Sequence, residues 1–308
     1  MSTPFFGRTS VHLDRTGFKP PHLFSKTHAR GRVWLKTAAL LPLIFVSAAA
    51  QGWPACQAIS AAVCGALLAE AFCGLLFHKI PAYHDGETIF YGLFCSLILP
   101  LTLPLWVFFA ASFISAAWGR ELFGGFGQAL FFPPSAGLLV LFLGLPSLVQ
   151  AFDFKQARAL AAVLSMEENP LLLAFYPASP ALEDVSLAAI ALGVLILLGS
   201  ALVRWEWPII FIALYAGMRL WLAQESALFL LSGGLWLALF WGFSQTSALP
   251  LTPAGRRAYA VLAALLAGLC PLRDEALRVL AGQACASFLA PWLEALLGPR
   301  PSSQQENS

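Results

Sequence analysis

Two carboxylates in this chain sit where water is scarce, and they set the chemistry to be looked for. Glu70 lies inside a long apolar stretch. A charge at the bilayer midplane costs roughly 2.5–3.5 kcal/mol on insertion scales, so this side chain is protonated, paired or lining a hydrated path. Asp85, in His84-Asp85-Gly86-Glu87-Thr88, opens another apolar stretch. There it either caps unpaired helix amides or contacts an ion or cofactor at the mouth of a short helix. Glu70 and Asp85 are the candidate ion-path residues. Gly124, Gly125 and Gly127, in Gly119-Arg120-Glu121-Leu122-Phe123-Gly124-Gly125-Phe126-Gly127, let the backbone pass close to a flat ligand or another helix. The spacing is not that of a dinucleotide-binding turn, and no strand precedes it. Ser232-Gly233-Gly234, by contrast, suits close helix–helix approach.

Other chemistries find little support. The six cysteines (56, 64, 73, 95, 270 and 285) lie in or beside apolar stretches with no CxxC pair, which reads as packing and not as a metal site. His22, His28, His78 and His84 fall near the ends of apolar stretches without metal-ligand spacing on one helix. Neither a Ser/His/Asp set nor a phosphate-binding loop is present. A hydrolase or a primary pump acting alone is disfavoured, and no catalytic or metal-ligating residue is assigned.

The elements that must position these groups are membrane spans. The chain has 308 residues, 59% of them hydrophobic and 11% charged, against about 25% charged in an ordinary soluble domain. Its apolar residues gather into runs separated by short polar or Pro/Gly breaks, and only a helix satisfies its own backbone in lipid. The runs predict an all-α polytopic membrane protein of about ten transmembrane helices, over 34–51, 55–77, 87–100, 104–118, 129–148, 185–203, 208–223, 226–243, 257–271 and 276–297. Pro100 and Pro104 bound the third and fourth closely, which suggests tilted or broken helices packed within protein. The net charge of +2 argues against a nucleic-acid partner. The basic residues Arg8, Arg15, Lys19, Lys26, Arg30, Arg32 and Lys36 precede or open the first span and place the N-terminus in the cytoplasm. Ten spans bring the C-terminus back to that side, with Lys79, Arg120, Arg204, Arg256 and Arg257 in cytoplasmic connections. Arg219–Glu225 and Arg273–Arg278 become loops of the opposite face.

Leu99-Pro100-Leu101-Thr102 after the third span returns as Leu249-Pro250-Leu251-Thr252 after the eighth. Five helices separate the two strings, which predicts an inverted repeat with the functional site at the interface of the halves. The expected organisation is a basic arm over 1–32, a first five-helix half over 33–148, an extracytoplasmic loop over 149–184, a second half over 185–297 and a polar tail over 298–308.

These motifs together resemble the RnfD component of the Rnf electron-transport complex and its relative NqrB, from the sodium-pumping NADH:quinone reductase. The resemblance runs from about residue 20 to 297. It is carried by Pro21-His22, Leu40-Leu41-Pro42, Asp85-Gly86, Leu99-Pro100 through Trp106, the Gly119–Gly127 stretch, Leu231–Leu235 and Pro250–Arg256. It implies a membrane subunit that works with the other subunits of such a complex, in a bacterial inner membrane, and couples electron transfer to Na+ or H+ movement. It also implies a flavin, with Asp85, Gly124, Gly125, Gly127, Asp184 and Ser186 as candidate contacts. In that family FMN is joined through its phosphate to a threonine in the loop after the fifth helix. Here no threonine occurs between Thr102 and Thr246. Covalent FMN is therefore not expected, and flavin (FMN or riboflavin) would be held noncovalently. The family's asparagine-rich stretch reads Ala129-Leu130-Phe131-Phe132-Pro133, and its Gly-Glu-Thr-Ser motif reads Glu183-Asp184-Val185-Ser186. Losing several polar contacts at once weakens a flavin site, since each is worth of order 1 kcal/mol. The alternatives are a cofactor-free channel or transporter and a structural docking subunit on the same scaffold.

Overall fold

A computed structural model describes residues 26–78, 85–125, 127–145, 186–221, 229–230, 232–245, 247, 249–272 and 274–297. Within them the chain forms ten α-helices: α1 (Lys26–Gln51), α2 (Trp53–Leu76), α3 (Glu87–Ile98), α4 (Leu105–Gly119), α5 (Pro133–Gly144), α6 (Leu187–Gly199), α7 (Glu206–Trp221), α8 (Gly233–Phe243), α9 (Pro253–Leu269) and α10 (Glu275–Leu297). The number of helices is the one the apolar runs predict. Their starts follow local chemistry. Proline occupies the first turn of α2, α5 and α9, where its missing N–H costs nothing. Ser186 and Thr252 cap α6 and α9 by accepting from Ala189 N at 3.2 Å and Gly255 N at 3.1 Å.

Several boundaries depart from expectation by two to eight residues, α5, α6 and α9 among them. α1 begins at Lys26, eight residues before the expected 34. Ser232 precedes α8 instead of lying inside it, so that helix has only 11 residues. α3 has 12. At 1.5 Å per residue these two are about 16 and 18 Å long, roughly half the hydrocarbon thickness. Both are half-helices, sealed from lipid by neighbours; every residue of α8 but Trp236 is buried. By length and composition, Arg30–Gln51, Trp53–Leu76 and Glu275–Leu297 can each cross a membrane unaided.

Packing partners recur between the first five helices and the last five. α2 lies on α4 as α7 lies on α9, and α4 lies on α5 as α9 lies on α10; α1 meets α3 as α6 meets α8. Small residues make the contact in both sets. A Cβ on Gly137 of α5 would fall 2.1 Å from the Ala111 carbonyl of α4, and one on Gly282 of α10 would fall 2.6 Å from the Ala263 carbonyl of α9. Large apolar side chains turn outward instead, among them Phe45, Trp53, Leu75, Leu143, Trp221 and Trp292. Small residues at the helix contacts and a perimeter of large apolar side chains are what lipid as solvent allows.

Candidate functional site

The N-terminal end of α1, the C-terminal ends of α2 and α4 and the N-terminal end of α3 meet at one face, around Arg120. This residue follows α4 directly and is 2% exposed. Its guanidinium lies 3.3 Å from Glu70 Oε2, 3.7 Å from Asp85 Oδ2, 3.5 Å from Glu87 Oε2 and 3.4 Å from Glu121 Oε1. Thr88 Oγ1 stands between two of these groups, donating to Glu70 Oε2 at 2.5 Å and accepting from Arg120 Nη1 at 2.5 Å. Half-exposed Arg30 closes the rim, with its Nε 2.6 Å from Asp85 Oδ1. Burial opposes the charge on Arg120, but the surrounding carboxylates Glu70, Glu87 and Glu121 outweigh it and hold the guanidinium above its ordinary pKa. Among the described residues four carboxylates face two guanidiniums here, with the Lys36 ammonium acting on Glu87 as a third positive group. The imbalance favours cations, and the positive end of the α3 dipole helps to hold the acids in place.

A second network gathers at the other face, where α7 and α9 end and α8 and α10 begin. Glu275 Oε1 accepts from Arg219 Nη2 at 2.9 Å and from Arg278 Nη1 at 3.4 Å, while Tyr215 donates its hydroxyl to Glu275 Oε2. The Arg219 guanidinium also lies over the Phe229 ring, 5.7 Å from its centroid. Asp274 caps α10 by accepting from Leu277 N at 3.1 Å.

Lys36 of α1 lies between the two sets of five helices and is 6% exposed. Its Nζ is 3.4 Å from Gln245 Oε1, just beyond the C-terminal end of α8, and its carbonyl accepts from Trp241 Nε1 at 3.2 Å. Gln245 Nε2 donates in turn to Ser247 Oγ at 3.0 Å. Ser247 borders a cavity of about 190 Å³ lined also by Leu130, Leu249, Leu251, Ser287 and Glu294.

Placed against the sequence reading, Glu70 is the paired carboxylate of its three possibilities. Asp85 makes no side-chain cap on α3; it is bound to Arg30 and Arg120. Arg120, expected in a hydrated connection, turns back into the protein because four acids hold it more strongly than water does. Arg219 and Arg278, expected in loops, lie within α7 and α10 and are buried. Gly124, Gly125 and Gly127 all have positive φ, at 112°, 102° and 74°, so glycine is needed there to turn the chain. A Cβ on Gly125 or Gly127 would touch nothing within 4 Å. Ser186 uses its hydroxyl for the α6 cap, and Asp184 lies outside the described residues.

Among the described residues these groups do not make a flavin cradle: Asp85 and Ser186 are already engaged, Arg120 is surrounded by carboxylates that repel a phosphate, and a Cβ on Gly124 would meet only Gln128 of the same turn. Sequence reasoning missed Lys36, Glu87, Arg120, Gln245 and the whole Arg219–Glu275–Arg278 network. A signal was there. Lys36 continues the buried stripe Val33, Leu40, Leu43 on α1, and Arg219 continues Phe211 and Tyr215 on α7, at helical spacing.

An all-helical body with an apolar perimeter, two half-helices and buried charge networks at both faces defines a polytopic membrane protein. The chain belongs to the NQR2, RnfD, RnfE family, whose sequence model matches residues 18–274. It is similar to the D component of the ion-translocating oxidoreductase complex of Methanosarcina acetivorans, at 29% identity over 247 residues, 80% of this chain and 82% of that protein. It is similar as well to the D component of the Na(+)-translocating ferredoxin:NAD(+) oxidoreductase complex of Acetobacterium woodii, at 23% over 262 residues, 81% and 82% of the two chains. The D component of the proton-translocating ferredoxin:NAD(+) oxidoreductase complex of Clostridium ljungdahlii matches at 23% over 282 residues, 82% and 85%.

Proposed function

We propose that this chain is the RnfD-type membrane component of an Rnf/Nqr-type ion-translocating electron-transport complex, acting with the other subunits of that complex. The observation that carries the reading is the buried network of Glu70, Asp85, Glu87 and Glu121 around Arg120, at the mouth of half-helix α3, in a chain whose relatives are named for ion translocation. An excess of buried acid is costly to maintain and contributes nothing to packing, so it fits a cation-handling role. Both termini belong on the cytoplasmic side of a bacterial inner membrane, which the basic residues ahead of α1 support. The division into two inverted five-helix halves is supported by the recurring packing partners. Flavin, where this subunit carries it, is held without a phosphoester, because the sequence between α5 and α6 has no threonine.

The test is to isolate the complex through a tag on this chain and reconstitute it in liposomes. Addition of electron donor and acceptor is expected to drive cation uptake, with Glu70→Gln lowering uptake more than electron transfer. Ion or solute flux through the lone chain, without electron input, would overturn the reading in favour of a cofactor-free transporter. A band of this chain that fluoresces as flavin in a denaturing gel would overturn the statement about attachment.

A further inference from the structure

Relatives of this chain are named for Na+ in one case and for protons in another, and Lys36 bears on that difference. The C-terminal end of a half-helix is where a membrane protein offers a cation unpaired carbonyls and the negative end of a dipole. α8 ends at Phe243 with the negative end of its dipole, its Phe240, Trp241 and Gly242 carbonyls already taken by the N–H groups of Ser244 and Gln245, and Gln245 presents Oε1 two residues later. Glu87, the first residue of the other half-helix, faces the same place and acts electrostatically on both Lys36 and Tyr91. The Tyr91 hydroxyl is fully buried, lies beside Glu87 and Gln245, and has no hydrogen bond of good geometry. The Gln245 amide oxygen lies 3.4 Å from the ammonium, the buried Tyr91 hydroxyl borders Gln245 without a hydrogen bond of good geometry, and the Glu87 carboxylate adds negative potential, an oxygen-rich set suited to a hard monovalent cation.

What stands there is the Lys36 ammonium. It reaches in from α1 on a four-carbon stem and makes a contact at 3.4 Å to Gln245. An ammonium with three donors is poorly served by that environment as a hydrogen-bonding site, but well served as an electrostatic one. We propose that Lys36 is a tethered cation, occupying a Na+-type position between α3 and α8 and excluding free Na+ from it. This inference rests on the cation-handling reading above and deepens it. A route that passes this point carries charge as protons, since a second free cation would meet the fixed charge of the ammonium in a medium that screens it poorly.

The experiment uses the full chain purified in detergent, with thermal unfolding followed in NaCl and in choline chloride at equal ionic strength. Wild type is expected to unfold at the same temperature in both salts. Lys36→Gln and Lys36→Met empty the position and should gain a saturable stabilisation by Na+, at least about tenfold tighter than any Na+ effect on wild type. Lys36→Arg keeps a fixed charge and should stay indifferent. Neutral variants that fold in NaCl but not in choline also support the proposal. A Na+-specific shift in wild type overturns it. So do neutral variants that fold without gaining one, or that fail to fold equally in both salts. Because the readout is ion binding by the lone chain, it is separate from redox-driven uptake by the assembled complex: either result can fail without the other.

Discussion

Replacing Arg120 by glutamine removes the buried positive charge that Glu70, Asp85, Glu87 and Glu121 surround. The four contacts lie between 3.3 and 3.7 Å. At an effective dielectric constant near 20, each is worth about 5 kcal/mol before desolvation and the repulsion among the acids are subtracted. Those subtractions are large, and breaking a buried pair from one side typically costs about 3–5 kcal/mol. Arg120→Gln should fall in that range, because Arg30 is half exposed and touches Asp85 from the rim, so it cannot take over. Arg120→Lys keeps the charge but loses the planar fork that reaches several oxygens at once, and should cost less. Adding Glu87→Gln to Arg120→Gln should recover at least about 1 kcal/mol, since one unpaired acid is then gone. The assay is unfolding in mixed micelles, with Arg257→Gln as control; that arginine holds Glu206 at 3.3 Å on the exposed surface, where a pair is worth about 0–1 kcal/mol. If Arg120→Gln costs no more than the control, the network is solvated and the argument from buried acid fails.

Further outcomes follow from the same geometry. Glu275→Gln should cost about 3 kcal/mol in the same micelle titration, because it leaves Arg219 and Arg278 facing each other without the carboxylate they share. Gly137→Val and Gly282→Val should each destabilise by about 1–3 kcal/mol or block expression, as overpacking against the neighbouring helix requires. Gly144→Ala, at the end of α5 with nothing within 4 Å, should be silent. Trp241→Phe should cost about 1 kcal/mol through loss of the bond to the Lys36 carbonyl; an unchanged midpoint would show that this tie contributes nothing.

Much of the scaffold was legible because lipid leaves a chain few choices. The apolar runs marked ten helices, the prolines at 100 and 104 marked α3 as short, and the repeated Leu-Pro-Leu-Thr string pointed to a repeat of five helices. The site was less legible, and for a physical reason. A charged residue at the edge of an apolar run is assigned to water by default, which hid the burial of Arg120, Arg219, Arg278 and Lys36. Their burial depends on groups far along the chain, such as Glu70 for Arg120 or Glu275 for Arg219. No local pattern reveals that pairing. Glu70 alone stood out, since it had apolar sequence on both sides.

Twelve residues of α3 and eleven of α8 have a consequence for how the chain is made. Neither segment can settle in the bilayer on its own, since its ends would strand backbone amides in hydrocarbon. Each has to be carried in as one arm of a hairpin with the helix that follows, behind Pro100 and Pro250. The long helices α1 and α2 therefore enter first and form the wall against which the α3–α4 hairpin is laid. The second hairpin waits on α10, the last long helix to leave the ribosome, so a ribosome that stops before residue 275 releases a product whose second hairpin has no wall to rest on.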